Sequence, residues 1–262
     1  CTVLCDMSKT PLSSFFTPCF YFHVAAASDT LPFKHRWGID VMKVVQQQHL
    51  VFALLLTLPY LRAGANTLTI DVGRLYDVEQ QRVVEKQRIT IKDGRISAIA
   101  ASDQRVADVD LRAFAVTPGW IDLHTHLIGD IQSADVLAPL HVTREQDLQL
   151  GAHNALATLR AGFTTVRDVG TYRGLLDVQL RDQINRGELL GPTMFVAGAY
   201  LTRRGGGGEV VGGPEAEKLP SEFRLGVADS EAELRERVRV LAQGGVNFLK
   251  VIATGAVLTN GT

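Results

Sequence analysis

The stretch "VTPGWIDLHTHLIGD", Val116 to Asp130, sets two histidines one residue apart at the end of an apolar run. Side chains two apart on a strand share a face, so Asp122, His124 and His126 lie on one side of a strand over Trp120 to His126. Near the C-terminal end of a parallel strand, that face opens where α/β proteins place their sites. Two neutral imidazoles converging there suit Zn²⁺ or another borderline divalent cation. The same spacing fits two surface histidines at a strand end, and spacing alone does not choose. Asp122, on the same face, is a candidate to orient one imidazole.

Upstream, residues 66–118 read as short strands. "NTLTIDVGRLYD" alternates apolar Leu68, Ile70 and Val72 with polar partners, the pattern of a half-buried strand. "QRITIKDGRISAIAAS" holds two alternating runs joined by Asp93-Gly94, a strong hairpin signal. "DVDLRAFAVTPG" gives another strand that stops at Pro118, and Pro118-Gly119 marks the passage to a different rhythm.

Downstream, strands alternate with helices. Thr143 and Gln146 form a capping-box pair at the start of a helix that Gly162 ends, with Leu148, Ala152, Ala155, Leu156 and Leu159 as its apolar stripe. "FTTVRDVG" is a strand, "LLDVQLRDQINRG" a helix closed by Gly187, and "PTMFVAGAY" a strand. Ser230 with Glu233 caps a further helix whose Leu234, Val238 and Leu241 face one way, and "VNFLKVIATG" is the next strand. This alternation implies βαβ units and a parallel sheet, although barrel and open sheet share it. The long segment "LTRRGGGGEVVGGPEAEKLPSEFRLGVADS" is read as a loop, since its four glycines lack the Lys-Ser/Thr of a phosphate-binding loop.

Lys250 lies among Phe248, Leu249, Val251 and Ile252. A lysine there either snorkels to solvent or is paired, neutral or modified. An ammonium has no lone pair for a metal; a lysine that has captured CO₂ is a carbamate with two ligating oxygens. Arg167 and Asp168 end the second strand and point opposite ways, so one of them is expected to be structural or substrate-orienting. His141 and His153 are read as solvated.

The bulk properties narrow the class. With 262 residues, 46% hydrophobic, the chain can bury a sizeable core, and a net charge of −1 advertises neither nucleic acid nor an anionic membrane. The three cysteines, Cys1, Cys5 and Cys19, all precede Met42. Residues 1–41 have no sustained period and are treated as an N-terminal extension. Residues 42–65 follow the order of a secretory signal peptide: Met42-Lys43, the apolar run Leu50 to Leu58, and Ala63-Gly64-Ala65. That run is short for a membrane span. An exported, periplasmic or secreted protein is expected if this leader is real, and a cytoplasmic one otherwise.

Three motifs, "KDGRISAI" (92–99), "PGWIDLHTHL" (118–127) and "KVIATG" (250–255), together resemble the metal-dependent amidohydrolase superfamily. "TTVRDVG" (164–170) is similar to its imidazolonepropionase-like and Xaa-Pro dipeptidase-like members. The resemblance covers about residues 66–262. It implies a small β-sandwich module over 66–118 and the first half, strands one to four, of a (β/α)8 TIM-like barrel over 119–262. It implies His124 and His126 as first-strand metal ligands, and Lys250 as a carboxylated lysine bridging two divalent ions, Zn being expected. The family's remaining two histidines and its catalytic aspartate are expected beyond Thr262, since no histidine follows His153. The resemblance thus implies a C-terminally truncated chain, itself inactive, from a hydrolase of C–N bonds in dipeptides or N-acyl amino acids. Cyclic amides of the imidazolone type are the nearest alternative substrates, and a non-catalytic scaffold is the alternative from another class. Small-molecule or dipeptide substrates are the expected partners; a homo-oligomer stays open.

Overall fold

The computed structural model describes residues 67–129, 141–210 and 219–255, together with the backbone of 2–5 and 19–26. The leader read over 42–65 lies outside the described residues. No helix among the described residues is long and apolar enough to cross a membrane. The chain divides into two compact units, residues 1–120 with 160–162, and residues 121–159 with 163–262.

The first unit is a six-stranded sheet. Its strands are β1 (Thr2–Cys5), β2 (Cys19–Ala26), β3 (Thr67–Asp77), β4 (Arg82–Lys92), β5 (Arg95–Ala101) and β6 (Val109–Pro118), in the order β1-β2-β6-β3-β4-β5. β3 and β4 form an antiparallel pair with Ile70 opposite Ile89 and Leu68 opposite Ile91, so the alternation read from the sequence lands on one buried face. Asp93 and Gly94 take φ of 52° and 75°, the left-handed pair that a two-residue hairpin between β4 and β5 requires. β3 also runs parallel to β6, with a register shift between Val72 and Arg74. Gly73 occupies that bulge because a Cβ there would lie 2.1 Å from the Arg112 carbonyl oxygen. The opposite face carries Asp71, which accepts a bidentate pair from Arg88 Nε and Nη2 at 2.7 and 2.9 Å.

β1 and β2 fall within the stretch read as an unpatterned extension. β2 runs antiparallel to β6, Phe22 opposite Pro118 and Ala26 opposite Phe114. Its run, "CFYFHVAA", is continuous rather than alternating, which is why a period-of-two search passes over it.

The second unit is α/β. Strand β7 (Trp120–Thr125), whose first residue belongs to the other unit, leads into helix α1 (Arg144–Arg160), β8 (Phe163–Asp168), α2 (Leu176–Asn185), β9 (Thr193–Val196) and β10 (Tyr200–Leu201). A 3-10 turn (Ser221–Arg224), α3 (Glu231–Gln243) and β11 (Lys250–Val251) follow. β7, β8 and β9 form one sheet, with β8 and β9 parallel; β10 and β11 form a second parallel pair. This is the first half of the expected barrel, strands alternating with helices.

The helix ends obey the sequence. Thr143 and Gln146 close a reciprocal box, each backbone N–H donating to the other's side-chain oxygen at 2.8 and 3.2 Å. Ser230 Oγ likewise accepts from Glu233 N–H. Ala155 and Leu159 of α1 and Leu176 and Leu180 of α2 are buried, and Leu127, Val166, Met194 and Val196 share their layer. Leu234 departs from its expected stripe: it is 41% exposed, whereas Leu241 is fully buried. The helix buries its C-terminal end and leaves its first turns to solvent.

Candidate metal centre

His124 and His126 do project from one face of the β7 edge, their ring centroids 5.4 Å apart and their planes inclined at 65°. His124 is exposed and His126 half-buried. Asp122 does not orient an imidazole as anticipated. Its Oδ1 accepts the backbone N–H of His124 at 2.9 Å, a local bond that stiffens the strand end.

His126 is held by residues far away in sequence. Its Nδ1 lies 2.8 Å from the carbonyl oxygen of Gly170 and 3.1 Å from the hydroxyl of Tyr200, which itself donates to the Gly170 carbonyl at 2.9 Å. A carbonyl can only accept, so Nδ1 carries the proton and Nε2 keeps its lone pair. Burial, opposed by the Gly170 hydrogen bond, holds the His126 pKa below the usual histidine range, and the charges of His124 and Lys250 push the same way. A neutral imidazole with one nitrogen fixed by a carbonyl and the other free is the form in which histidine ligates a metal.

Lys250 is half-buried on β11, and its backbone partner in the neighbouring strand is Tyr200. β10 carries the tyrosine that meets His126, and β11, paired with it, carries Lys250, whose charge is felt at His126. Among the described residues no three of His, Cys, Asp and Glu are grouped to hold a metal, so a site here would need a donor such as Lys250 beside the histidine pair. That donor set fits a divalent cation if the lysine is carboxylated, because only a carbamate gives that position oxygens to ligate with.

The second strand separates its two polar residues as expected. Arg167 is exposed, donates from Nε to the Leu123 carbonyl at 2.7 Å, and lies over the Phe248 ring at 5.7 Å. Asp168 is fully buried on the other face and accepts the backbone N–H of Leu127 at 2.6 Å. It thus pins the backbone immediately after His126. Burial, with the charge of Asp177 added, pushes Asp168 up to about 8, and burial pushes Asp177 up to about 6. Asp177 does for the chain after β9 what Asp168 does after β7, accepting the N–H of Gly198 at 2.9 Å. A third anchor was invisible in the sequence. Buried Arg173 binds Asp147 of α1 at 2.7 Å and Glu222 of the 3-10 turn, and stacks on Phe223 at 4.5 Å.

The fold is an α/β half-barrel with two histidines at the end of its first strand, and comparison with known proteins gives its family. The amidohydrolase family model matches residues 115–262, and the chain belongs to that family. Ochratoxinase of Aspergillus niger is 27% identical over 161 residues, 56% of this chain and 33% of the enzyme. Imidazolonepropionase of Micrococcus luteus is 39% identical over 69 residues, 25% of this chain and 17% of the enzyme. A crystal structure of a Xaa-Pro dipeptidase with methionine in its active site superposes with a TM-score of 0.66 at 32% identity, covering 75% of this chain and 49% of that one. The chain spans a third of the ochratoxinase and about half of the dipeptidase. Metal dependence is general in this superfamily.

Proposed function

We propose that the chain carries the first-strand and fourth-strand part of a binuclear zinc centre, with His124, His126 and carboxylated Lys250 as ligands, in an enzyme hydrolysing C–N bonds of dipeptides or N-acyl amino acids. The observation that carries this reading is the commitment of His126 Nδ1–H to the Gly170 carbonyl, which reserves Nε2 for a cation. When bound, the metal supplies Lewis acidity, lowering the pKa of water and polarising the scissile carbonyl. The chain's own contribution is placement. Asp168 fixes the backbone after His126, the Gly170 carbonyl fixes the imidazole, and the β10–β11 pairing fixes Lys250 beside Tyr200.

The substrate class is supported by the Xaa-Pro dipeptidase and ochratoxinase likenesses. A cyclic amide is the second reading, supported by the 39% identity to an imidazolonepropionase over 69 residues. The test is hydrolysis by the full-length protein of a panel of dipeptides, N-acyl amino acids and cyclic amides, before and after chelation. Activity on the first two, abolished by chelation and restored by Zn²⁺, is expected. Hydrolysis indifferent to chelation would overturn the proposal, and turnover confined to the cyclic amides would move it to the second reading.

A further inference from the structure

Tyr200 stands between the two halves of the proposed ligand set without belonging to it. Its hydroxyl donates to the Gly170 carbonyl at 2.9 Å, and the hydroxyl oxygen lies 3.1 Å from His126 Nδ1. The carbonyl has two lone pairs, so it accepts from both the imidazole and the phenol. The Nδ1–H can then share its proton between the carbonyl oxygen and the phenol oxygen, closing a three-membered polar ring. Were the proton on Nε2 instead, Nδ1 and the carbonyl would face each other at 2.8 Å as two acceptors, and the phenol could satisfy only one of them.

The ring has no room to turn away. Tyr200 is 7% exposed. It makes an edge contact with Tyr172 at 5.1 Å and another with His126 at 5.9 Å. A Cβ on Gly170 would meet the Tyr200 ring at 3.0 Å, and Gly170 holds a φ of +112°, so the strand-two loop is shaped to admit this side chain. Through the backbone, Tyr200 is also the register partner of Lys250.

We infer that Tyr200 is a positioning residue: the Gly170 carbonyl sets the Nδ1–H tautomer of His126, and the Tyr200 hydroxyl, bonded to that carbonyl and beside Nδ1, holds the imidazole in one ring orientation. The part concerning metal rests on the metal-centre reading above; the part concerning the ring orientation does not.

The experiment is Tyr200→Phe in the full-length protein, with Tyr172→Phe as the control. Phenylalanine keeps the buried ring and leaves the Gly170 carbonyl bonded to Nδ1–H, so the fold has no new unpaired group to accommodate. Two quantities are read. Solvent exchange of the His126 Nδ1–H is measured in metal-free protein by ¹H–¹⁵N NMR of the ring at about pH 8, where a histidine of ordinary or lowered pKa is neutral. Zn²⁺ and Co²⁺ affinity is measured by competition with a chromophoric chelator. Tyr200→Phe is expected to keep the Nδ1–H tautomer, to speed exchange of that proton about tenfold, and to weaken metal binding about tenfold, the scale seen when a group orienting a ligand is removed. Tyr172→Phe is expected to change neither. A Tyr200→Phe protein with wild-type Nδ1–H exchange and wild-type affinity overturns the inference. If the wild type binds no divalent metal, the metal-centre reading fails, and the exchange rate alone then decides for or against Tyr200.

Discussion

Two of the buried carboxylates in the α/β unit are held unlike the one in the sheet unit. In the sheet unit, Asp71 is held by the guanidinium of Arg88, whose hydrogen bonds keep its pKa below the usual carboxylate range. In the α/β unit, Asp168 and Asp177 meet backbone N–H groups instead of a cation, and burial raises both. An arginine–aspartate pair fastens one strand to another and faces no chemistry. Carboxylates that bind amides hold the backbone where the site residues emerge, at Leu127 just after His126 and at Gly198 just before Tyr200. Charge pairing secures both units, Asp71–Arg88 in the sheet and Asp147–Arg173 in the α/β unit; what the α/β unit adds is buried acceptors beside the candidate centre.

The largest expected effect follows from the opposite signs. Asp168, raised from its unfolded value to about 8, stabilises fully below the unfolded pKa and loses that contribution as pH rises through about 8. Asp71, lowered, stabilises fully above its unfolded pKa and loses the contribution as pH falls through its folded value. Hydrogen exchange read at Val166 and Val196 for one unit, and at Ile70 and Ile89 for the other, separates the two. After correction for intrinsic rates, protection of the α/β unit is expected to fall on the order of tenfold per pH unit between about pH 6 and 8, above the range in which Asp177 titrates. Protection of the sheet unit should stay level there and drop only in acid. Asp168→Asn should flatten the α/β slope; an unchanged slope would show that Asp168 is ionised when buried.

Gly73→Ala sharpens the comparison from the other side. The new Cβ meets a backbone carbonyl that cannot swing aside, so a loss of about 3 kcal/mol confined to the sheet unit is expected from denaturant unfolding. A loss shared by both units would mean that they unfold as one. The smallest effect is at a helix end: Thr143→Ala removes half of the capping box and should cost the α/β unit about 1 kcal/mol.

What the sequence revealed divides along the same line as its physics. Patterns written within a few residues were legible: the period-two strands, the Asp93-Gly94 turn, the Thr143–Gln146 capping box, the Ser230 cap, and the shared face of His124 and His126. Groups that meet across long separations were not. Tyr200 reaches His126 across 74 residues, and Asp168 reaches Leu127 across 41. Nothing local marks a tyrosine after "VAGA" as the partner of a histidine, and the opposed directions of Arg167 and Asp168 showed only that one of them would turn inward. The Asp147–Arg173–Glu222 network was hidden for the same reason: each member reads as an ordinary surface charge until the fold brings them together. β2 escaped because its backbone pairs without alternation.

The central claim is that His124, His126 and Lys250 hold a divalent metal together. It is tested most directly by the metal content of the full-length protein, wild type against His126→Asn and Lys250→Ala. The account predicts about two divalent ions per chain in the wild type and a loss in both variants, with the fold intact by circular dichroism. Variants that retain the wild-type metal content would contradict it.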